Sequence, residues 1–475
     1  MLNVKIREIK VVNFKNTKYG ELQFPRVSNP DSKDVLGVYG QNGSGKTAII
    51  DAMELVQKLM IGESLLEDAG HYIMANQKYM QISVSFDMSY KMIEYVLDYE
   101  VTIKKEEDKC LIDSEEIKYK KKNEDEFSRK KTLFKYSDSK KKPLTPKIKV
   151  DKLSKYSFND VSNKINIMVV NELIRKESKS YLFNSMFMEM LGEYKNGFEE
   201  EYCILKSLNR YANINLFIIS SKNSGAIDFK FFIPVNFKIT ENNHVSKGEI
   251  PLMLEKPTFI NDRQLEIVEK IIGCMNIAVK KIIPGMTVEI LNLGKEVVDV
   301  KDNGEEVILN KLELFSNREG IRIPLKFESH GILKILSIIN VLINVYNEED
   351  MTLFVDELDA GIFEYLLGEL LEVFCMRAKG QLLFTSHNLR ILETIPKSNL
   401  IFSTTNPENR YIKLTSVKSN NNLRDLYIRT IMLGGQKEEL YQETDKIEIS
   451  KAFGKIGKVL VNLLEIVRWR NATHS

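Results

Sequence analysis

Gly40 and Gly45 lead directly into Lys46 and Thr47 in "GQNGSGKT". The order is G-x-x-x-x-G-K-[ST], and each residue type has a chemical reason to be there. Glycines let backbone N–H groups turn inward around phosphate oxygens, with Gln41, Asn42, Gly43 and Ser44 completing the loop. Lys46 would neutralise the β- and γ-phosphates, and Thr47 would set its hydroxyl on Mg²⁺. A helix starting near Lys46 would add its positive N-terminal end. The competing reading is a flexible turn.

Three further groups carry compatible chemistry. In "MTLFVDELD" an apolar run ends in Asp356 and Glu357. Asp356 suits a carboxylate that holds Mg²⁺ through water, and Glu357 suits a general base that polarises the attacking water. In "LLFTSHNL", His387 stands at the end of another apolar run, where it would contact a γ-phosphate or serve structure alone. In "LKFESHGILKIL", Ser329 and Gly331 precede a helical pattern. They offer a hydroxyl and backbone donors to an anion, although a plain N-cap uses Ser equally well.

These groups need strand ends and helix starts to position them. "VKIREIKVVNF", "ELQF" and "DVLGVYG" read as strands, the third running into the glycine loop. "KTAIIDAMELVQKLM" then has Ile49, Ile50, Met53, Val56 and Met60 at helical spacing. Residues 80–136 alternate as a β-meander. Residues 159–213 read mainly helical, strands return in "NLFIIS" and "DFKFFIPVNFKI", and Asn261 caps a helix over "DRQLEIVEKIIGCMNIAVKKI". "TVEILNL", "EVVDV" and "EEVILNK" follow as strands, with a turn at Asp302-Asn303-Gly304. From residue 321, helix and buried strand alternate as in a parallel sheet.

The expected fold class is therefore α/β, a parallel-sheet nucleotide-binding head. Residues 1–60 and 321–415 would form the head. Residues 61–320 would be a large α+β insertion: a meander (80–150), a helical part (159–213) and a mixed part (214–320). Residues 416–475 would be a helical C-terminal appendix, broken at Gly434-Gly435, that binds a partner or packs on the head.

The chain has 475 residues, 43% hydrophobic and 28% charged, with net charge +2. That length supports a sizeable core, and the charge balance leaves no global field toward nucleic acid or anionic membrane. The basic stretch 117–150 would track a phosphate backbone or form a solvated hairpin; its interleaved acids favour the hairpin. The four cysteines share no CxxC spacing and read as buried thiols of a reducing compartment. With no signal-peptide core and no apolar run near eighteen residues, a cytoplasmic protein without a membrane segment is expected.

The order of phosphate loop, long insertion, Ser–x–Gly helix start, Asp–Glu strand and histidine strand resembles the ATP-binding-cassette ATPases with structural-maintenance, Rad50 and RecF heads. It is similar above all to the compact ATPases related to the overcoming-lysogenization-defect proteins of phage-defence and abortive-infection systems. "VKIREIKVVNFKN", "DELDAGIFEYLLGELL" and "FTSHN" carry the resemblance, over about residues 1–60 and 320–415. It implies a P-loop NTPase of the ABC type, binding ATP and Mg²⁺, whose two heads sandwich two ATP molecules. Ser329 and Gly331 would then act on the partner protomer's γ-phosphate, His387 would be the switch histidine, and Asp359 would lie at the head–head contact. "ESHG" departs from "LSGG", with His330 at its second position, and the Q-loop glutamine is either Gln77 or Gln81. No long coiled coil and no TOPRIM-type acidic cluster follow the pattern.

The implied role is an ATPase, a homodimer or larger homo-oligomer, that acts as the sensing or regulatory engine of a defence complex and controls a separately encoded effector, a nuclease by preference. A DNA-repair clamp that grips nucleic acid, and an ATP-gated scaffold, are the alternatives. A nucleoside kinase accounts for the phosphate loop but not for the distant Asp–Glu and histidine strands.

Overall fold

The computed structural model describes residues 2–25, 33–106, 109–123, 126–138, 172, 174–193, 195–220, 232–241, 244–300, 305–414, 422–434 and 436–456. The expected turn at 302–304, Gly435, and residues 159–171 of the helical reading lie outside them, as do 139–150 of the basic stretch and the last nineteen residues.

Five strands with buried, β-branched or aromatic sequences form the central sheet: β3 (Val35–Tyr39), β9 (Leu216–Ile219), β16 (Thr352–Val355), β17 (Gln381–Ser386) and β18 (Leu400–Ser403). The order is β19-β18-β3-β17-β16-β9, and only the short β19 (Tyr411–Ile412) runs antiparallel. Strands covered on both faces need continuous apolar sequence, which "LFV" and "LLF" supply. Successive side chains alternate between two cores. Leu36, Val38, Phe354 and Leu383 join one, with Ile49, Met53 and Val56 of the helix α1 (Lys46–Met60). Val35, Leu353, Val355 and Phe384 join the other, with Leu333 and Leu336 of the helix His330–Asn347.

A second, antiparallel sheet covers α1. Its order is β2-β1-β4-β5-β6-β7, with β8 on β6, built from β1 (Asn3–Phe14), β2 (Thr17–Gln23), β4 (Tyr79–Tyr90), β5 (Ile93–Glu106), β6 (Lys109–Asn123), β7 (Glu126–Phe127) and β8 (Lys131–Ser137). The N-terminal strands thus pair with the meander, β1 against β4, and not with the parallel sheet. Conversely β9, from "NLFIIS", pairs with β16 inside the parallel sheet. Gln381 stitches the two sheets. Its amide bonds both ways to the Ile6 backbone, at 2.7 and 2.8 Å, beside a bulge in β1.

The third unit holds the hairpin β10 (Phe232–Glu241) and β11 (His244–Met253), then a sheet of β12 (Thr258–Ile260), β14 (Glu306–Arg318) and β13 (Met286–Val300), with β15 (Ile321–Pro324) on β14. "TVEILNL" and "EVVDV" are one strand, β13, that shifts register between Asn292 and Lys295. The helix Asp262–Ile282 has a capping box from Asn261 and Gln264, as its sequence implies.

In the described part of the basic stretch, Lys118, Lys121, Lys122, Lys130 and Lys135 pair with Glu116, Glu200, Glu94, Asp98 and Glu116. The acids come from β5, from Glu116 of β6 and from the helix Lys195–Arg210, so neighbouring elements offset the charge of these lysines. Two expectations need correction. Cys110 and Cys375 are buried, but Cys203 is only half-buried and Cys274 is exposed on the outer side of its helix. The helix His330–Asn347 has the length and composition to cross a membrane, because Ser337 and Asn340 interrupt its apolar run without lowering its mean hydropathy enough. Ten of its residues are buried in the core.

Glu115 is fully buried on β6, where burial raises its carboxyl pKa against the donors that stabilise the anion. It accepts from Ser180 Oγ (2.5 Å), Tyr99 Oη (2.7 Å), Tyr181 N (2.9 Å) and Leu182 N (3.2 Å). Those bonds fix segment 180–182 on the meander. Glu115→Ala strands all four donors and is expected to cost about 3–5 kcal/mol, read as a lowered midpoint in urea unfolding.

Candidate functional site

The C-terminal ends of β3, β17 and β16 lie side by side, Tyr39 opposite Ser386 and Phe384 opposite Val355. Ligands of parallel sheets bind at such ends. The glycine loop follows β3 there and feeds α1, whose N-cap, Gly45, has φ of 91°. Only glycine takes that conformation without strain. A Cβ on Gly40 would overlap Ser403 Oγ.

The loop is braced from outside. Ser44 Oγ lies 2.5 Å from Ser403 Oγ and donates to Gln41 O at 2.7 Å. Tyr411 Oη donates to Gly45 O at 2.6 Å, Asn16 Nδ2 donates to Gly43 O, and Arg410 donates to Asn16 O. Lys46 turns back into the loop and donates to Gly40 O and Gln41 O, both at 2.9 Å. Burial pulls its ammonium down to about 8, partly offset by Asp356, Glu357 and Asp359.

Asp356 is fully buried at the end of β16. Its Oδ1 accepts from Thr385 Oγ1 (2.6 Å) and Thr47 Oγ1 (3.3 Å), and its Oδ2 has no hydrogen-bond partner among the described residues. A buried carboxylate oxygen without a partner is costly. Beside a threonine hydroxyl it gives the hard oxygen donors that suit Mg²⁺. Glu357 points its side chain to solvent from a backbone with φ of 49°, held by its N–H to Thr385 Oγ1 at 2.8 Å. Such a left-handed conformation costs a non-glycine residue about 1–2 kcal/mol and here aims the carboxylate out of the strand.

His387 N donates to Asp359 Oδ2 at 2.9 Å, which ties the two loops together. Burial and the nearby Lys46 lower the imidazole pKa, so its neutral form prevails at pH 7. The structure therefore gathers Gly40, Gln41, Asn42, Gly43, Ser44, Gly45, Lys46, Thr47, Asp356, Glu357 and His387 around three strand ends. Ser329 and Gly331 form a separate feature. Ser329 caps the helix His330–Asn347, accepting from Ile332 N at 3.4 Å. Gly331 packs on Gly361, whose carbonyl a Cβ on Gly331 would overlap. Of the two candidate glutamines, Gln77 lies in a turn next to the end of β1, its N–H bonded to Met74 O at 3.0 Å, while Gln81 sits within β4 opposite Val12.

Sequence reasoning missed the residues that hold the site. Thr385 serves both acidic residues, and a lone hydroxyl in "LLFTS" was the available signal. Ser403, Arg410 and Tyr411 carry no motif. Nor does the segment 438–442. Leu440 is buried, Glu439 O accepts from Thr405 N (2.9 Å), Glu438 accepts from Asn406 and Asn409, and Gln442 N donates to Gln41 Oε1 (2.8 Å). The appendix thus reaches the phosphate loop.

Residues 35–393 match the family described as AAA domain, putative AbiEii toxin, Type IV TA system. The chain belongs to that family. A search of curated proteins finds no match. Among solved structures, this AAA-domain protein is similar to an Smc head domain with an extended coiled coil bound to the C-terminal domain of ScpA, from Pyrococcus furiosus (13% identity, 86% of this chain and 96% of that one, TM-score 0.38). It is also similar to the SMC head domain from Thermotoga maritima (12%, 86% and 99%, 0.36) and to the recombination mediator RecF with ATP (13%, 82% and 94%, 0.33). The fold is the α/β parallel-sheet head with a phosphate-type loop expected from the sequence, with β3, the glycine loop and α1 as its centre.

With Lys46 on the phosphates, its charge state would make ATP binding to this AAA-domain protein pH-dependent. A group depressed to about 8 when free would be held protonated by bound phosphates, so binding would take up a proton as pH approaches 8. Affinity is then expected to fall about tenfold from pH 7 to pH 9 by linkage, and calorimetry in buffers of different ionisation enthalpy would show the uptake. A flat affinity over that range would show that the free Lys46 ammonium stays charged to pH 9 and is not depressed.

Proposed function

We propose that this AAA-domain protein binds ATP and hydrolyses its β–γ phosphoanhydride in a head-to-head homodimer. The observation that carries the reading is the buried Asp356 oxygen, without a hydrogen-bond partner among the described residues, beside Thr47 and the phosphate loop. Thr47 and Asp356 would hold Mg²⁺, which neutralises charge on the β- and γ-phosphate oxygens. Lys46 would share that charge, and the loop N–H groups and the start of α1 would orient the phosphates. Glu357 would take the proton of the attacking water as its oxygen bonds the γ-phosphorus and the bridging oxygen leaves with ADP. His387, neutral, would donate a hydrogen bond to a γ-phosphate oxygen.

Ser329 and Gly331 would complete the second copy's site. The helix they open has no acidic residue in its first turn, so its positive end suits a phosphate. The larger role we assign is the regulatory engine of an anti-phage defence complex in which nucleotide state controls a separate effector. The family description, a putative toxin of a type IV TA system, and the appendix segment bound to the phosphate loop support that role. The test is ATP turnover per chain against protein concentration. A specific rate that rises with concentration fits a composite dimeric site. A rate independent of concentration, from a chain shown to be monomeric, removes Ser329 and Gly331 from catalysis. Absence of turnover in the presence of Mg²⁺ and effector leaves an ATP-gated scaffold.

A further inference from the structure

We propose that the cleft between the meander and the helix Lys195–Arg210 binds a free nucleotide, at a site separate from the phosphate loop. The cleft has a volume of about 790 Å³, within the range of small-molecule sites. None of its lining residues belongs to the loop or to the strand ends that carry Asp356 and His387.

Its floor is one end of the antiparallel sheet. Met88 of β4 lies opposite Tyr95 of β5, and Tyr95 lies opposite Lys121 of β6. Tyr90 and Ile93 form the next row. Alternation along the strands puts both rows on one face, and the helix supplies Tyr202, Ile204, Lys206 and Arg210 from the other side. The two walls are tied together. Glu200 Oε1 on the helix accepts from Tyr95 Oη at 2.9 Å and from Lys121 Nζ at 2.7 Å. At the end of the helix, Asn209 Nδ2 donates to Met60 O (2.8 Å) and Tyr211 Oη to Thr352 Oγ1 (2.7 Å). These bonds fix the wall on the parallel-sheet head. A cleft formed before its ligand arrives loses little entropy on binding.

The lining chemistry selects the ligand. Each of three tyrosines has a lysine ammonium over its ring: Lys91 lies 5.3 Å from the Tyr90 centroid, Lys121 5.7 Å from that of Tyr95 and Lys206 5.4 Å from that of Tyr202. Four cations line the cleft against two acids, Glu199 and Glu200, and Lys121 already holds Glu200. Lys91, Lys206 and Arg210 are exposed and have no acid partner among the described residues. Lys91 also sits in a two-residue turn with Met92, with φ of 47° and 67°. Such turns favour Asn-Gly, so the hairpin holds a lysine at this rim in a conformation that costs about 1–2 kcal/mol. Excess positive charge suits an anion, and flat rings suit an aromatic group. A nucleotide carries both. Its base stacks on a tyrosine ring while its phosphate meets the lysine beside it.

The test is calorimetric titration of the full chain with AMP, GMP, CMP and UMP, which lack the β- and γ-phosphates. At least one is expected to bind with a dissociation constant below about 1 mM. Lys91→Glu and Lys206→Glu should each raise that constant at least about tenfold. Lys206→Arg keeps the charge and should stay within about threefold. Lys46→Ala, at the phosphate loop, should leave the constant within about twofold. Both cleft lysines are exposed, so their variants are expected to fold, and a thermal melt checks that they do. Binding that Lys46→Ala abolishes and the two charge reversals leave unchanged belongs to the phosphate loop and overturns the inference. Absence of binding by all four nucleotides overturns it as well. Binding of an oligothymidylate alone, weakened by the same reversals, overturns the free nucleotide in favour of a nucleic-acid strand.

Discussion

Lys46→Ala is expected to abolish measurable ATP turnover, a loss on the order of 10²–10³ or more in kcat, and to weaken ATP binding by a comparable factor. The argument rests on what Lys46 touches. Its ammonium is buried and donates to the carbonyls of Gly40 and Gln41. Without it, no ammonium remains in the loop to offset phosphate charge, and two inward carbonyls lose their donor. The fold should survive, because the loop is braced independently by Ser403, Tyr411 and Asn16. Lys46→Arg should rescue little: the planar guanidinium is bulkier and cannot reproduce a compact point charge in a buried site. Calorimetric titration with ATP and a thermal melt separate lost binding from lost fold. Normal ATP affinity in a folded Lys46→Ala chain would refute the assignment of this loop as the phosphate site.

The candidate site was legible to the extent that its chemistry is local in sequence. A glycine loop announces itself because the backbone must turn inward at fixed offsets and the following helix must begin there; Gly45 with φ of 91° directly before α1 is the physical reason for the motif. Asp356 and His387 were legible because each ends a run of consecutive apolar residues, and such runs are strands buried on both faces. What the sequence concealed is long-range pairing. Nothing in "VKIREIKVVNF" distinguishes a strand that joins the parallel sheet from one that pairs with a meander seventy-odd residues later, since alternation reports a half-buried face and not the partner. "LFII" is four residues long, too short for periodicity to tell which sheet receives it. The braces Ser403, Arg410, Tyr411 and Gln442 act through contacts more than 350 residues apart in the chain, and single hydroxyls, guanidiniums and amides have no pattern to read. The exposure of Cys274 has the same origin: on a helix with polar and apolar faces, a cysteine reads as core by composition until its neighbours are known.

Glu357→Gln is expected to lower turnover about 10²–10⁴-fold while leaving ATP affinity within about twofold, and so to accumulate the ATP-bound state. Glutamine keeps the size of the side chain and its backbone N–H to Thr385, so the left-handed turn at residue 357 and the Asp356 carboxylate beside it should stay in place. Only the proton acceptor is removed. Asp356→Asn provides the contrast. It alters the oxygens that face Thr47 and Thr385, and it should therefore weaken Mg²⁺-dependent ATP binding itself, not turnover alone. The pair of variants separates the two neighbouring carboxylates by function: one should change kcat at constant affinity, the other affinity and kcat together. Single-turnover release of phosphate and equilibrium binding of labelled ATP measure the two quantities. Wild-type phosphate release by Glu357→Gln would show that the base lies elsewhere, with Asp359, bonded to His387, the next carboxylate along the same loop.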